Sequence, residues 1–169
     1  MFGSFEITVR PIEPADKPQA LQFITEQWGE DLVVSRGVVH QPSALPGFIA
    51  EYDGRLAGLV TYRMAENSCE IITIDVTQKF GGVGTMLLDA VTETVQASGC
   101  RRLWLVTTND NLPALRFYQR RGFVLVALYP NAIAESRKLK PGIPLRGIDG
   151  IPIRDEIELE LDMGQTRGL

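Results

Sequence analysis

The sequence predicts a mixed α/β fold built on one sheet, antiparallel in its first half and interleaved with helices in its second. Three observations carry the prediction. Short runs with apolar and polar residues in alternation flank the tight turns Asp53-Gly54 and Asn67-Ser68, the pattern of an antiparallel meander. Beyond residue 80 the period changes, and Val83, Leu87, Leu88, Val91 and Val95 fall on one face of a helix. Strand-like and helix-like runs then alternate up to residue 128, which gives this half a βαβ character.

Each element has its own signal. Phe5 to Arg10 alternates and reads as a strand, punctuated by Pro11, Pro14 and Asp16. Leu21, Phe23, Ile24 and Trp28 recur at helical spacing, so residues 16–28 form a helix on which Trp28 reads as a core anchor. Between Gly29 and Pro46 the signal is mixed. Val33, Val34, Val38 and Val39 suit either a short strand or a second helix, and Gly37 argues against a long one. Residues 48–52, 56–64 and 70–76 are three consecutive strands. The helix from Val83 ends at Gly99, where a glycine permits the left-handed cap.

Residues 101–107 (RRLWLVT) form a strand apolar enough for the middle of a sheet. Residues 112–121 form a helix stopped by Gly122, and residues 123–128 another strand. The stretch 130–152 is rich in Pro, Gly and basic residues and reads as a long loop with one short helical turn. Ile157-Glu158-Leu159-Glu160-Leu161 alternates cleanly within a closing strand at about 153–163. The 169 residues are expected to make a single domain, with the informative segments between 46 and 128.

Composition bounds the function. A net charge of −4 and a pI near 5.1 speak against nucleic acid as a partner. No apolar stretch is long enough to span a membrane and no basic-then-apolar leader opens the chain, so a cytoplasmic location and no membrane partner are expected. Cys69 and Cys100 lack metal-ligand spacing with His40, the one histidine, so no metal is expected and both cysteines read as small buried hydrophobes. His40 itself reads as incidental.

The segment Lys79-Phe80-Gly81-Gly82-Val83-Gly84-Thr85 lies between a strand and a helix, where main-chain N–H groups make an anion site and glycine lets a phosphate approach. A Walker loop is excluded because Thr85-Met86 stands where Lys-Ser/Thr is required. A dinucleotide fingerprint is excluded because Leu87 stands where a third glycine is required. A second motif follows at Asn111-Leu112-Pro113-Ala114-Leu115-Arg116-Phe117-Tyr118-Gln119-Arg120-Arg121-Gly122-Phe123.

Together these motifs resemble the GNAT family (Gcn5-related N-acetyltransferases). That family carries Gln/Arg-x-x-Gly-x-Gly/Ala between its fourth strand and third helix, and Asn-x-x-Ala-x-x-Phe-Tyr-x-x-x-Gly-Phe further on. Here Lys79 replaces the Gln or Arg and Phe80 is bulkier than usual, whereas the second motif is complete. The resemblance implies a sheet with splayed central strands and acetyl-CoA as co-substrate. It implies main-chain contacts from Ile74 and Val76 to the pantetheine arm, with Lys79 to Thr85 (Lys79, Phe80, Gly81, Gly82, Val83, Gly84, Thr85) around the pyrophosphate. It further implies that Asn111 bonds the arm while Ala114 and Phe117 pack on it, and that Tyr118 protonates the departing thiolate. A phenol and a thiol, with ordinary pKa values of about 10 and about 8.5, are close enough for that transfer.

A base should take the amine's proton, and Glu70, Asp75 and Glu51 are the candidates. Strict alternation puts Glu70 with Ile72 and Ile74 and sends Asp75 to the opposite face. Glu70 lies close to where some relatives keep a catalytic glutamate. The acceptor, a small-molecule or peptide amine, would be read by the segment with Trp28, Ser35, Arg36 and His40 and by the late loop. In that loop Arg137, Lys138, Lys140 and Arg146 read equally as solvated surface or as part of a site. Many members dimerise through their C-terminal strands, and an exposed edge on Ile157 to Leu161 would permit a homodimer here. Two other readings stand beside the enzyme: a non-catalytic acyl-CoA sensor, and an interaction domain whose glycine turn is structural only.

Overall fold

The computed structural model describes residues 6–77 and 81–164; Phe5, Lys79 and Phe80 lie outside them. Seven strands form one sheet: β1 (Ile7–Pro11), β4 (Gly47–Tyr52), β5 (Arg55–Met64), β6 (Ser68–Val76), β7 (Arg102–Thr108), β8 (Val124–Tyr129) and β9 (Glu156–Asp162). Their spatial order is β1-β4-β5-β6-β7-β9-β8, and only the β6–β7 pair is parallel. The remaining strands, β2 (Val33–Ser35) and β3 (Val38–His40), make a separate hairpin.

The turn chemistry explains the connections. Asp53 and Gly54 both have positive φ (51° and 72°), as a two-residue hairpin requires. Arg36 and Gly37 repeat that conformation (48° and 74°), and this turn settles the ambiguous segment as a hairpin. Its strands have three residues each, too few for a period to declare itself.

Helix α1 (Lys17–Trp28) buries Ala20, Phe23 and Ile24 against Ile49 and Leu59 on one face of the sheet. Helix α2 (Val83–Ser98) buries its predicted stripe on the other face, together with Tyr118 from α3 (Leu112–Arg120). Both cysteines are buried there, as expected. Trp28, in contrast, is not a core anchor: it is exposed at the end of α1.

Three expectations are corrected. The stretch 130–152 holds a full helix, α4 (Ala132–Leu139), whose buried Ile133 and Ser136 face inward. Its N-cap Asn131 sits at φ 58° and its apolar face is short, which is why the Pro- and Gly-rich surroundings mask it. The closing strand is not an edge. β9 inserts between β7 and β8, where Arg102 pairs with Glu158 (2.5 Å) and with Glu160. The edge is β8, with Val124, Leu125, Val126 and Leu128 each 43–59% exposed. Alternation alone cannot separate an inner antiparallel strand from an outer one.

The third correction places the site. The β5–β6 register shifts between Thr61 and Tyr62, which face Thr73 and Ile71, so Ile72 is the extra residue of a bulge. Cross-strand partners share a face. Leu59, Thr61 and Arg63 alternate regularly and oppose Asp75, Thr73 and Glu70, so all three of these lie on the α1 face. Glu70 and Asp75 are thus on one side, not on two. Pairing of β6 with β7 ends at Ile71–Leu105, and beyond it the two strands splay.

A Cβ at Gly47 would lie 2.0 Å from the Val60 carbonyl oxygen in the next strand, whereas one at Gly142 would meet nothing within 4 Å. Gly47→Ala is expected to cost about 3 kcal/mol or more, the upper range of overpacking. It should lower the urea midpoint at unchanged slope, and Gly142→Ala should leave the midpoint in place.

Candidate active site

The splay divides the site into two halves. On the α2–α3 face, Gly82 takes φ 98° and caps α2. The first N–H groups of α2 have no intrahelical acceptor, which makes its start an anion site. A Cβ at Gly84 would meet the Phe117 ring at 3.2 and 3.3 Å, so glycine is what lets α2 and α3 approach here. Val83 is buried beneath the turn, and Gly81 is exposed at its mouth.

Arg121 ties the two helices together. It donates to Thr85 Oγ1 through Nε (3.0 Å) and Nη2, and to the Phe117 carbonyl through Nη1 (2.9 Å), with its guanidinium 3.7 Å over the Phe117 ring. Arg116, Arg120 and Arg121 join Thr85 and Leu112 around an open cavity of about 800 Å³. Sequence reasoning missed these cations. The signal was there, since Arg116 and Arg120 stand four apart on one helix and Arg121 follows.

Tyr118 lies in the core under α2 and lines neither this cavity nor the one on the α1 face; it is 4% exposed and edge-on to Phe117 (5.2 Å) and Phe123 (5.3 Å). Burial pushes its phenol well above the ordinary range, and the Asp75 carboxylate adds to the effect. Asp75 accepts a hydrogen bond from Trp28 Nε1 at 2.8 Å, and burial raises its pKa to about 6 in spite of that bond. Asn111 caps α3, its Oδ1 accepting from the Ala114 N–H (3.2 Å), while Ala114 packs against the core. Ile74 and Val76 are half-buried on the splayed part of β6, where no strand of the sheet takes the main-chain groups that face away from β5.

On the α1 face lies a second, more enclosed cavity of about 470 Å³. Trp28, Ser35, Ile72, Thr107, Lys140 and Glu156 all reach it, as does Asn111, the chain neighbour of Leu112 in the first cavity. Behind Ser35 sits Glu70, 5% exposed, which accepts from the Ser35 hydroxyl at 2.5 Å. Burial pushes its pKa up. His40 is not incidental. It is buried, its Nε2 lies 4.0 Å from the other Glu70 oxygen and has no hydrogen-bond partner, and burial lowers its pKa. Glu51 is elsewhere, paired with Arg10 at 2.7 Å on the β1 side of the sheet. Of the late basic residues only Lys140 lines this cavity. Arg137 clamps the carbonyls of Pro144 and Ile153 (both 2.8 Å), Lys138 pairs with Glu135 at the surface, and Arg146 bonds the Gly150 carbonyl.

The family model described as acetyltransferase (GNAT) family matches residues 8–123. The chain belongs to the GNAT family. Its relatives include the Bacillus subtilis (strain 168) protein YdhI, 40% identical over 83% of this chain and 89% of that one. Among solved structures it resembles an IAA acetyltransferase from Bacillus cereus ATCC 14579 (TM-score 0.72, 20% identity, 93% and 99% of the two chains). It also resembles a GNAT acetyltransferase from Elizabethkingia anophelis with acetyl-CoA bound (TM-score 0.65, 22% identity, 92% and 97%). The GNAT match ends at Phe123, so β8, α4, the 140–153 segment and β9 lie beyond the matched residues. Among the described residues no His/Cys/Asp/Glu cluster could hold a metal, and no helix is long and apolar enough to cross a membrane.

The Trp28–Asp75 bond should make Trp28 report the ionisation of Asp75. Tryptophan fluorescence is expected to titrate with a midpoint of about pH 6, and the step should vanish in Asp75→Asn and in Trp28→Phe. The fold favours protonated Asp75, so its contribution to stability is full below pH 3.8 and fades as pH rises through about 6. Asp75→Asn should flatten the stability profile across that window.

Proposed function

We propose that the protein is an N-acetyltransferase that moves the acetyl group of acetyl-CoA to a small primary amine by direct attack. The observation that carries this reading is the splay beyond Ile71–Leu105, with a cationic, glycine-bearing helix start at one mouth and a roofed cavity backed by a buried carboxylate at the other. The residues present suit the co-substrate. Gly84 leaves the helix start open beside Phe117, and the cluster of Arg116, Arg120 and Arg121 supplies the charge that phosphates need. The free main-chain groups near Ile74 and Val76 accept an extended amide arm as an added strand would.

The thioester supplies an activated acyl carbon. In the step, a C–N bond forms and the C–S bond breaks. Main-chain N–H groups by the Ile72 bulge stabilise the oxyanion. Glu70 takes the amine's proton through the Ser35 hydroxyl or a water, and its raised pKa makes it a stronger base than an exposed carboxylate. Tyr118 gives its proton to the departing sulfur; burial and Asp75 keep it protonated until then. Asn111 keeps its amide N–H₂ for the arm, because its oxygen is committed to the α3 cap. The roof over the second cavity favours a small molecule over a polypeptide acceptor. The bare β8 edge suits antiparallel pairing with a second copy, which makes the protein a homodimer.

Acetyl-CoA and CoA, but not ATP, should raise the melting temperature. Saturation at about 100 times Kd adds roughly 2.7 kcal/mol, or about 5–11 °C for a chain of this size. Tyr118→Phe should lower kcat about 100-fold with KM for acetyl-CoA unchanged. A sensor without chemistry would show the thermal shift and no turnover in either protein. Glu70→Gln should also lower kcat and remove the acid limb of its pH profile.

A further inference from the structure

The second cavity has an aliphatic wall, made by Val33, Val34, Ile72, Ile133, Ile143 and Ile153. Two charged side chains also reach it, and they differ in one respect. Glu156 is neutralised from within: Arg36 donates to Oε1 from Nη1 (3.0 Å) and to Oε2 from its main-chain N–H (3.2 Å). Arg36 is in turn held 3.2 Å over the Tyr129 ring.

Lys140 has no such partner. The residue is 7% exposed, and its ammonium donates to the carbonyls of Trp28 (3.0 Å) and Leu32 (2.8 Å) and lies 5.8 Å from the Trp28 ring. Among the described residues it forms no ion pair. An ammonium has three protons, so one remains beyond the two carbonyls. Those carbonyls explain why α4 is fastened to the end of α1. They do not by themselves offset a charge at a cavity wall, because burying a cation is costly unless an anion meets it, and the Glu30 carboxylate acts on this one only from beyond ion-pair distance. Burial depresses the Lys140 pKa although the Glu30 carboxylate opposes the shift, and an anionic ligand would raise it further.

We infer that the acceptor is an α-amino acid with an apolar side chain, or a close analogue with a carboxylate beside its amine, and that Lys140 binds that carboxylate. Ser35 and Lys140 line the same cavity, so one small ligand can present its amine towards Ser35 and Glu70 and its carboxylate to the ammonium. The side chain then packs on the aliphatic wall. This rests on the acetyltransferase reading and adds to it the class of acceptor.

The test pairs each amino acid with the amine left when its carboxylate is removed. L-Methionine and L-leucine are compared with 3-(methylthio)propylamine and 3-methylbutylamine, by calorimetric binding to the CoA-saturated protein and by initial acetylation rate. The amino acids are expected to win by about 10-fold or more, as one charge-assisted bond provides. In Lys140→Met that ratio should collapse to about one, and in Lys140→Arg it should be largely kept. Because each ratio is measured within one protein, a loss of stability in the variant cancels; a melt without ligand confirms that it folds. Equal or better binding of the decarboxylated amines to the wild type, or an undiminished ratio in Lys140→Met, overturns the inference. Acetylation of other amines with no binding of either pair would overturn it while leaving the acetyltransferase reading intact. Failure to bind acetyl-CoA would sink both.

Discussion

The structure turns on the point where β6 and β7 stop pairing. Parting two strands in the middle of a sheet leaves main-chain N–H and C=O groups without partners, at roughly 1–3 kcal/mol for each that is also denied water. The fold tolerates this because each strand keeps its other edge. β6 is held by β5 as far as Val76–Gly58, and β7 is held by β9 along its whole length, from Arg102–Asp162 to Thr108–Glu156. The chain's last strand is therefore interior by necessity. Without it, β7 beyond Leu105 would be free on both sides.

The bulge at Ile72 is the second half of the same device. It resets the alternation of β6 so that Ile71 and Ile74 both pack towards α2, while Glu70, Thr73 and Asp75 all face α1. Thr61 and Thr73 share a buried hydrogen bond of 2.7 Å across the strands, which satisfies the one uncharged polar pair on that face. The apolar face of the strand anchors the helix that bears the glycine turn. Its polar face carries the groups that can move protons. One inserted residue thus puts the apolar anchor of α2 and the buried carboxylates on opposite faces of the strand.

Much of this was legible in the sequence, for reasons that can be named. Strong periods and turn pairs located α2, β4 to β7 and the Asp53-Gly54 hairpin, because each depends on residues within a few positions of one another. The glycine turn and the Asn111-to-Phe123 motif were legible because close packing fixes residue types locally, as Gly84 against Phe117 shows. What escaped was set by distant partners. The bulge is invisible in β6 alone, since any strand residue can be the extra one. Trp28 appeared as a core residue because indole is apolar; its N–H partner, Asp75, is far along the chain. His40 read as incidental, and Lys140 could not be told from solvated surface, because nothing nearby in sequence announces Glu70 or the end of α1.

The same distinction between local and distant partners separates the two halves of the structure. The matched stretch supplies the splay, the turn and Tyr118. The second cavity is assembled from segments remote from one another, and buried or half-buried polar contacts fix each of them in place. Ser35 on Glu70 and Arg36 on Glu156 seat the β2–β3 hairpin. Lys140 on the Trp28 and Leu32 carbonyls seats α4. Asp110, which accepts from the Thr108 hydroxyl and the Ile148 N–H, seats the late loop so closely that a Cβ at Gly147 would lie 1.9 Å from its carboxylate. Apolar packing tolerates sliding and repacking, whereas directional bonds made out of water tolerate little. A roof held in this way keeps a fixed shape before any ligand arrives. On the cavity wall, Glu156 is met by Arg36, whereas Lys140 has carbonyls and no ion pair among the described residues.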